Sequence, residues 1–237
     1  MHTLRVEVWS DIACPWCWVG KRHLEAAAER FDAEVEVLWR AFELDPSAPK
    51  VAEPGVAVVD RLSKKYGVPR GRAQQMIDHM TAVGAAIGLD FRFDHAQTTS
   101  TFDAHRLLAW AATHGGQGAL KERLFRAYMT EGRSMADHET LVELATDAGL
   151  DAARAWAVLR TDAHAREVRE EEVRAAQLGV RGVPFFLIDG RYAVGGAQPP
   201  ELLLEVLERA AADRDPLDTR GETCGPDGCA VPREADA

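Results

Sequence analysis

Hydrophobic and polar positions change period along the chain. Residues 4–9 alternate between apolar and polar side chains, and residues 35–42 also have the character of a strand. Between them, residues 16–30 have apolar side chains at helical spacing. A strand, a helix and a second strand in so short a stretch predict a βαβ unit with parallel strands and a right-handed crossover.

The pattern is almost entirely helical over residues 55–179, which carry several apolar stripes at helical spacing. It then returns to strands at residues 185–188 and 192–194, joined at Asp189-Gly190, which predicts a hairpin with a tight turn. Residues 200–212 predict a last helix. The predicted order is therefore βαβ, a helical stretch, and ββα.

These elements predict an α/β fold with a four-stranded mixed sheet and flanking helices. We expect residues 1–54 and 180–212 to form one discontinuous domain, and residues 55–179 to form an all-helical insertion. Residues 213–237 are rich in proline, glycine and charge, which is typical of a tail outside the core.

A pair of cysteines lies where the first strand passes into the first helix, in the sequence Cys14-Pro15-Trp16-Cys17. The free N–H groups and the dipole of a helix start favour a thiolate on Cys14. Pro15 suits the first turn of a helix. Cys17 lies one turn further along and can reach back to form a disulfide. The pair predicts thiol redox chemistry at the carboxyl edge of the first strand, where open α/β sheets place their sites.

A second pair, Cys224 and Cys229, encloses the turn sequence 226–228 in the tail. It is a candidate secondary redox pair, and an inert or metal-binding tail is the alternative. All four cysteines together would also supply the ligands of a structural zinc site. We favour redox chemistry for Cys14 and Cys17, and predict no metal, because Cys-Pro-Trp-Cys at a helix start after a strand fits that chemistry better.

Val183 and Pro184 directly precede the third predicted strand. A trans proline would simply begin an edge strand there. A cis bond would instead place the N–H and C=O of Val183 beside Cys14, as a strand-like partner for a peptide or thiol. Trp16, between the two cysteines, would add an apolar contact for unfolded substrates. Val183, Pro184 and Trp16 are therefore candidate substrate-binding residues.

The composition of the chain argues against several classes of protein. The 237 residues carry a net charge of -10 and no basic run, which argues against nucleic acid as a partner. Four cysteines are too few for a secreted disulfide scaffold. The first strand follows Met1 almost at once, and no long apolar span occurs, so we expect no membrane association and a cytoplasmic location.

Three blocks in this order resemble the DsbA-like thioredoxin-fold family, most closely its FrnE branch: residues 10–20, 102–107 and 179–198. The resemblance implies a thioredoxin fold, with Cys14 as the attacking nucleophile and Cys17 as the resolving thiol. It implies a cis-proline loop at Val183-Pro184. By analogy, His105 and its neighbours Asp103 and Arg106 border the substrate cleft. Some FrnE-type members also carry a Cys-x4-Cys pair near the C-terminus.

The expected function is thiol-disulfide oxidoreductase, of reductase or isomerase type, acting on disulfide-containing or misfolded proteins. We expect no required cofactor, with glutathione or another thiol as electron donor. The alternative is a glutathione-dependent isomerase or transferase, related to 2-hydroxychromene-2-carboxylate isomerase and the kappa-class transferases. Those enzymes generally have serine where this chain has Cys14, so thiol exchange is favoured. A homodimer is compatible with the sequence.

Overall fold

The computed structural model describes residues 3–53 and 56–213. Its strands are β1 (Leu4–Ser10), β2 (Val35–Ala41), β3 (Phe185–Ile188) and β4 (Tyr192–Gly195). They form one sheet in the order β2-β1-β3-β4, in which β1 and β2 are parallel and the other pairs are antiparallel. This arrangement confirms the predicted α/β fold with a four-stranded mixed sheet.

Some helices flank this sheet, and the others belong to the segment of the chain between β2 and β3. They are α1 (Pro15–Ala28), α2 (Val58–Tyr66), α3 (Arg70–Ala86), α4 (Phe102–Ala112), α5 (Gln117–Met129), α6 (His138–Asp147), α7 (Ala152–Leu159), α8 (Ala165–Gln177) and α9 (Pro200–Ala212). None of them, in the part of the chain that the structure describes, is long and apolar enough to cross a membrane.

Strand β1 is buried on both faces. One face packs against α1 and α9. On the other face Trp9 packs against Val180, Leu187 and Ala175 of α8, and Glu7 is only 5% exposed. The polar side of the strand is covered as well, because α8 packs against it.

The turn between β3 and β4 is as tight as predicted. Asp189 and Gly190 both have positive φ, at 52° and 68°. Two consecutive residues with positive φ are typical of the type I′ turn, whose twist matches that of the flanking strands. Aspartate and glycine are among the residues that tolerate this conformation best.

The predicted division into domains stays a prediction. Helices α3 to α7 share one apolar cluster, and this cluster also contains Ile12, Trp18 and Val19 from the β1–α1 region. The helical stretch is thus packed directly on the segment that carries the cysteines. That contact places residues of the helical stretch within reach of the dithiol.

Candidate functional site

The two cysteines sit at the start of α1. Cys14 is the N-cap residue, with extended backbone at φ -97° and ψ 110°. Its N–H donates to the Asp11 carbonyl at 3.1 Å, and the Cys17 N–H donates to the Cys14 carbonyl at 3.0 Å. Pro15 occupies the first turn, as predicted. Both sulfurs therefore lie at the positive end of the helix dipole.

Both residues are free cysteines and both are buried, with Cys14 4% and Cys17 0% exposed. Burial, together with the neighbouring Cys14, raises the pKa of Cys17 well above its usual value, despite the opposing charge of Lys121 and the backbone N–H of Asp11. Cys17 therefore holds its proton at neutral pH. Cys14 is the more accessible of the two.

The Val183-Pro184 peptide bond is cis. The Cys14 thiol donates to the Val183 carbonyl across 3.5 Å, so the loop lies directly beside the dithiol. A Cβ atom on Gly20 would stand 2.8 Å from Pro184 Cγ and 3.2 Å from Phe186. Glycine at this position thus lets α1 approach the cis-proline loop closely.

Two apolar side chains are exposed near the cysteines. Trp16, between them, is 41% exposed, and Leu44 is 36% exposed. The N–H of Leu44 donates to the Asp11 carboxylate at 2.8 Å, which ties the segment after β2 to the active edge. A role for Trp16 in substrate contact remains a prediction that its exposure permits.

Asp11 is a buried carboxylate that sequence reasoning used only as part of a motif. It is 2% exposed and also accepts a hydrogen bond from the Ala13 N–H at 3.3 Å. Burial acts to raise its pKa, but His105 and the Leu44 N–H outweigh burial, so the pKa is lowered. Asp11 is therefore an anion inside the site.

His105 is buried next to Asp11, and its place at the substrate cleft stays a prediction. Its side chain is 1% exposed, and Nε2 lies 3.4 Å from Asp11 Oδ1. Asp103 pairs with Arg106 at 2.7 Å and with His138 at 2.9 Å. Arg106 also donates to the Ala163 carbonyl. Asp103 and Arg106 therefore tie α4 to α6 and to the segment after α7, and both side chains are largely buried.

Lys121 of α5 is the group that sequence reasoning missed. It is 0% exposed, and its ammonium lies 4.9 Å from the ring centre of Phe125 and 5.7 Å from that of Trp39. Burial lowers its pKa to about 8, against the charges of Cys17, Asp11, Cys14 and, to a smaller extent, Glu171. A signal did exist in the sequence, since Lys121 lies at helical spacing from the apolar positions of α5.

Cys224 and Cys229 lie outside the described residues, so the second redox pair and the four-cysteine zinc site stay as predicted alternatives. Among the residues that the structure describes, no group of three or more histidine, cysteine or acidic side chains is arranged to hold a metal ion.

The fold and the dithiol at its sheet edge define a thioredoxin-like protein. The DsbA-like thioredoxin domain model matches residues 5–208, so the chain belongs to this family of thiol oxidoreductases.

Among solved structures, the chain is 47% identical to the probable DsbA oxidoreductase of Streptomyces coelicolor, covering 97% of this chain and 100% of that one with a TM-score of 0.85. Uncharacterized protein YwbO of Bacillus subtilis (strain 168) is 29% identical over 213 residues, 89% of this chain and 97% of YwbO. The cytosolic disulfide reductase DsbM of Pseudomonas aeruginosa shares the fold at 22% identity, 88% and 99% coverage and a TM-score of 0.61. Another structure of DsbM contains GSH.

Proposed function

We propose that this protein is a thiol-disulfide oxidoreductase of the reductase or isomerase type, of the FrnE branch, acting in the cytoplasm. The observation that carries the proposal is the Cys14 thiol at a helix N-cap, 3.5 Å from the Val183 carbonyl of a cis-proline loop. Such a site offers an activated nucleophile and a backbone edge for a substrate strand at the same point.

In the proposed reaction the Cys14 thiolate attacks one sulfur of a substrate disulfide. The other substrate sulfur leaves as a thiolate, and a mixed disulfide remains on Cys14. Cys17 then loses its proton and attacks the Cys14 sulfur, which releases the second substrate thiolate. The enzyme ends with a Cys14–Cys17 disulfide, oxidised by two electrons, and the substrate is reduced by two. Two equivalents of glutathione or a similar thiol return the enzyme to the dithiol.

The substrates we propose are disulfide-containing or misfolded proteins. Trp16 offers them an exposed apolar surface, and Val183 offers a carbonyl beside the reacting sulfur. A reducing cytoplasm favours reduction or disulfide exchange over net disulfide formation. The direction also depends on the reduction potential of the pair, which rises as the reduced form is stabilised.

The first prediction concerns Cys14→Ser, tested by insulin reduction and by refolding of scrambled ribonuclease. We expect both activities to fall to the background rate, because a serine hydroxyl does not replace a thiolate nucleophile. Cys17→Ser should still attack a substrate disulfide but accumulate the mixed disulfide, which mass spectrometry detects.

Wild-type protein without either activity would contradict the proposal. So would a Cys14→Ser variant that keeps both. Turnover of a small molecule that needs glutathione and survives Cys17→Ser would instead indicate the isomerase or transferase alternative, since that chemistry needs no resolving thiol.

A further inference from the structure

Gly20 lies inside α1, one turn after Cys17, and the helix itself gives no reason for a glycine there. Its φ is outside the left-handed region, and alanine favours a helix more than glycine does. The reason is therefore space. A Cβ atom on Gly20 would stand 2.8 Å from Pro184 Cγ and 3.2 Å from Phe186 Cζ, so a side chain at this position would displace a neighbour.

Pro184 is the neighbour that would move. Phe186 is completely buried and is held in β3, where it pairs with Val8 of β1. The proline ring is closed onto its own backbone, so it cannot turn aside as a flexible side chain would. The residues before it, Arg181 and Gly182, are exposed, which leaves room on the solvent side. A Cβ atom at position 20 would thus push the Val183-Pro184 loop away from α1.

The position of this loop matters because Val183 carries the carbonyl beside the reacting sulfur. The Cys14 thiol donates to that carbonyl across 3.5 Å. The carbonyl belongs to the same peptide bond as the nitrogen of Pro184, so it moves when Pro184 moves. Since Cys14 is the N-cap of α1, a loop that is pushed away from this helix also moves away from the sulfur.

Helix α1 holds the same region at a second point, one turn further along. His23 Nδ1 lies 2.8 Å from the Gln198 carbonyl, which only accepts, so Nδ1 carries the proton. The Gly196 N–H in turn donates to the Pro184 carbonyl at 2.8 Å. The helix that begins at Cys14 therefore fixes both the loop and the segment that is bonded to it.

We propose that Gly20 is a positioning residue, which sets the distance from the Val183-Pro184 loop to Cys14 and thereby the affinity for extended disulfide substrates. The inference deepens the proposed function and rests on it. A substrate strand needs the Val183 carbonyl as an acceptor for its backbone N–H. A small aromatic disulfide needs only the Cys14 sulfur. Gly20 therefore governs the binding of peptides and leaves the exchange chemistry unchanged.

The second prediction concerns Gly20→Ala, tested with two disulfide substrates. The first consists of two peptide strands joined by a disulfide, one with a fluorophore and the other with its quencher, and dithiothreitol is the electron donor. The second is 5,5′-dithiobis(2-nitrobenzoate), which the reduced enzyme attacks in a single turnover. We expect the KM for the peptide to rise about fivefold at an unchanged kcat, as the loss of one hydrogen bond implies. The rate with the aromatic disulfide should stay within about twofold of the wild type, since this substrate has no backbone to dock.

Two other helical glycines provide matched controls. Gly118 of α5 has no atom within 4 Å of an added Cβ, so Gly118→Ala should leave the reaction with both substrates unchanged. A Cβ atom on Gly84 of α3 would stand 2.4 Å from the ring of Phe91. Gly84→Ala should therefore cost stability through a clash but keep the wild-type KM, which separates a structural effect from a positioning one.

Pro184→Ala is the reciprocal variant. It removes the Cγ atom that an added Cβ on Gly20 would meet. Gly20→Ala should then raise the KM little further in the Pro184→Ala background, because the two changes act on one contact. This comparison also provides the test if Gly20→Ala alone fails to fold.

A wild-type KM for the peptide in Gly20→Ala would overturn the inference, as would an equal rise in Gly84→Ala. So would a rate with the aromatic disulfide that falls as much as peptide turnover, or a full further rise of the KM when Gly20→Ala is added to Pro184→Ala. In each case the wild type still reduces both substrates, so the proposed function stands. Wild-type protein that reacts with neither substrate would overturn the proposed function instead.

Discussion

Two clusters of buried ionisable side chains, one around Glu7 of β1 and one around Asp11 just after it, are built in opposite ways. In the first, Glu7 accepts hydrogen bonds from Arg40 at 2.8 Å and from Arg174 at 2.6 and 2.7 Å, and we call these three residues the paired cluster. The second, which we call the site cluster, consists of Asp11, Cys17 and Lys121, which are all buried, and the charges of Asp11 and Cys17 act on Lys121. Lys121 has no hydrogen-bond partner there among the described residues.

The difference shows in the proton affinities. Burial acts to raise the pKa of Glu7, but the hydrogen bonds from Arg174 and Arg40 lower it to about 2. Glu7 therefore stays ionised at every physiological pH. Burial of Lys121 lowers its pKa to about 8, because the nearby anions compensate only in part. A fully paired buried charge supports the structure, whereas an unpaired one carries a cost to stability.

The largest expected effect comes from breaking the paired cluster. Glu7→Gln removes the carboxylate that Arg40 and Arg174 share and leaves Arg40 paired with Glu171 alone, and we expect it to lower the free energy of unfolding by about 3 kcal/mol. Urea unfolding measures this loss. Glu36→Gln, at an exposed position of the neighbouring strand, should change stability by less than about 0.5 kcal/mol. Equal effects for the two variants would show that the paired cluster does not stabilise the fold.

A smaller effect of opposite sign is expected in the site cluster. Lys121→Met replaces an unpaired buried ammonium by an apolar chain beside Phe125 and Trp39, and should raise the free energy of unfolding by about 2 kcal/mol at pH 7. Lys21→Met removes a paired lysine and should lower stability, which makes it the control. Thermal and urea unfolding would decide. A Lys121→Met protein less stable than the wild type would mean that Lys121 has a structural role.

The contrast also explains what the sequence could predict. Periodicity identified the strands and the helical stretch, and the motif placed Cys14 and Cys17 at a helix start, because these features are local. Burial of Glu7 was not predictable from its own strand, since it depends on α8, which is distant in sequence. A polar residue at helical spacing among apolar ones, as at Lys121, is the signal to examine.

The smallest expected effect is a dependence of stability on pH that belongs to Lys121 alone. Its pKa is about 8 in the folded state against 10.5 as the ordinary value, so between these values the unfolded chain binds more protons. Stability should therefore rise with pH, by at most about 1.4 kcal/mol per pH unit. The raised pKa of Cys17 opposes this rise above its ordinary value of 9.0, which leaves a window between about pH 8 and pH 9.

Urea unfolding across this window should show a gain of about 1 kcal/mol in the wild type and none in Lys121→Met. Glu7 does not contribute there, because its folded pKa of about 2 lies below the ordinary 4.5 and its stabilisation is lost only as pH falls through that acid range. Glu7→Gln should therefore keep the gain between pH 8 and pH 9 and lose less stability than the wild type as the pH falls into the acid range, where Asp11 still contributes. If the gain in stability persists in Lys121→Met, another group causes the alkaline transition. The unpaired Lys121 would then not differ from the paired Glu7 in the way that the two clusters suggest.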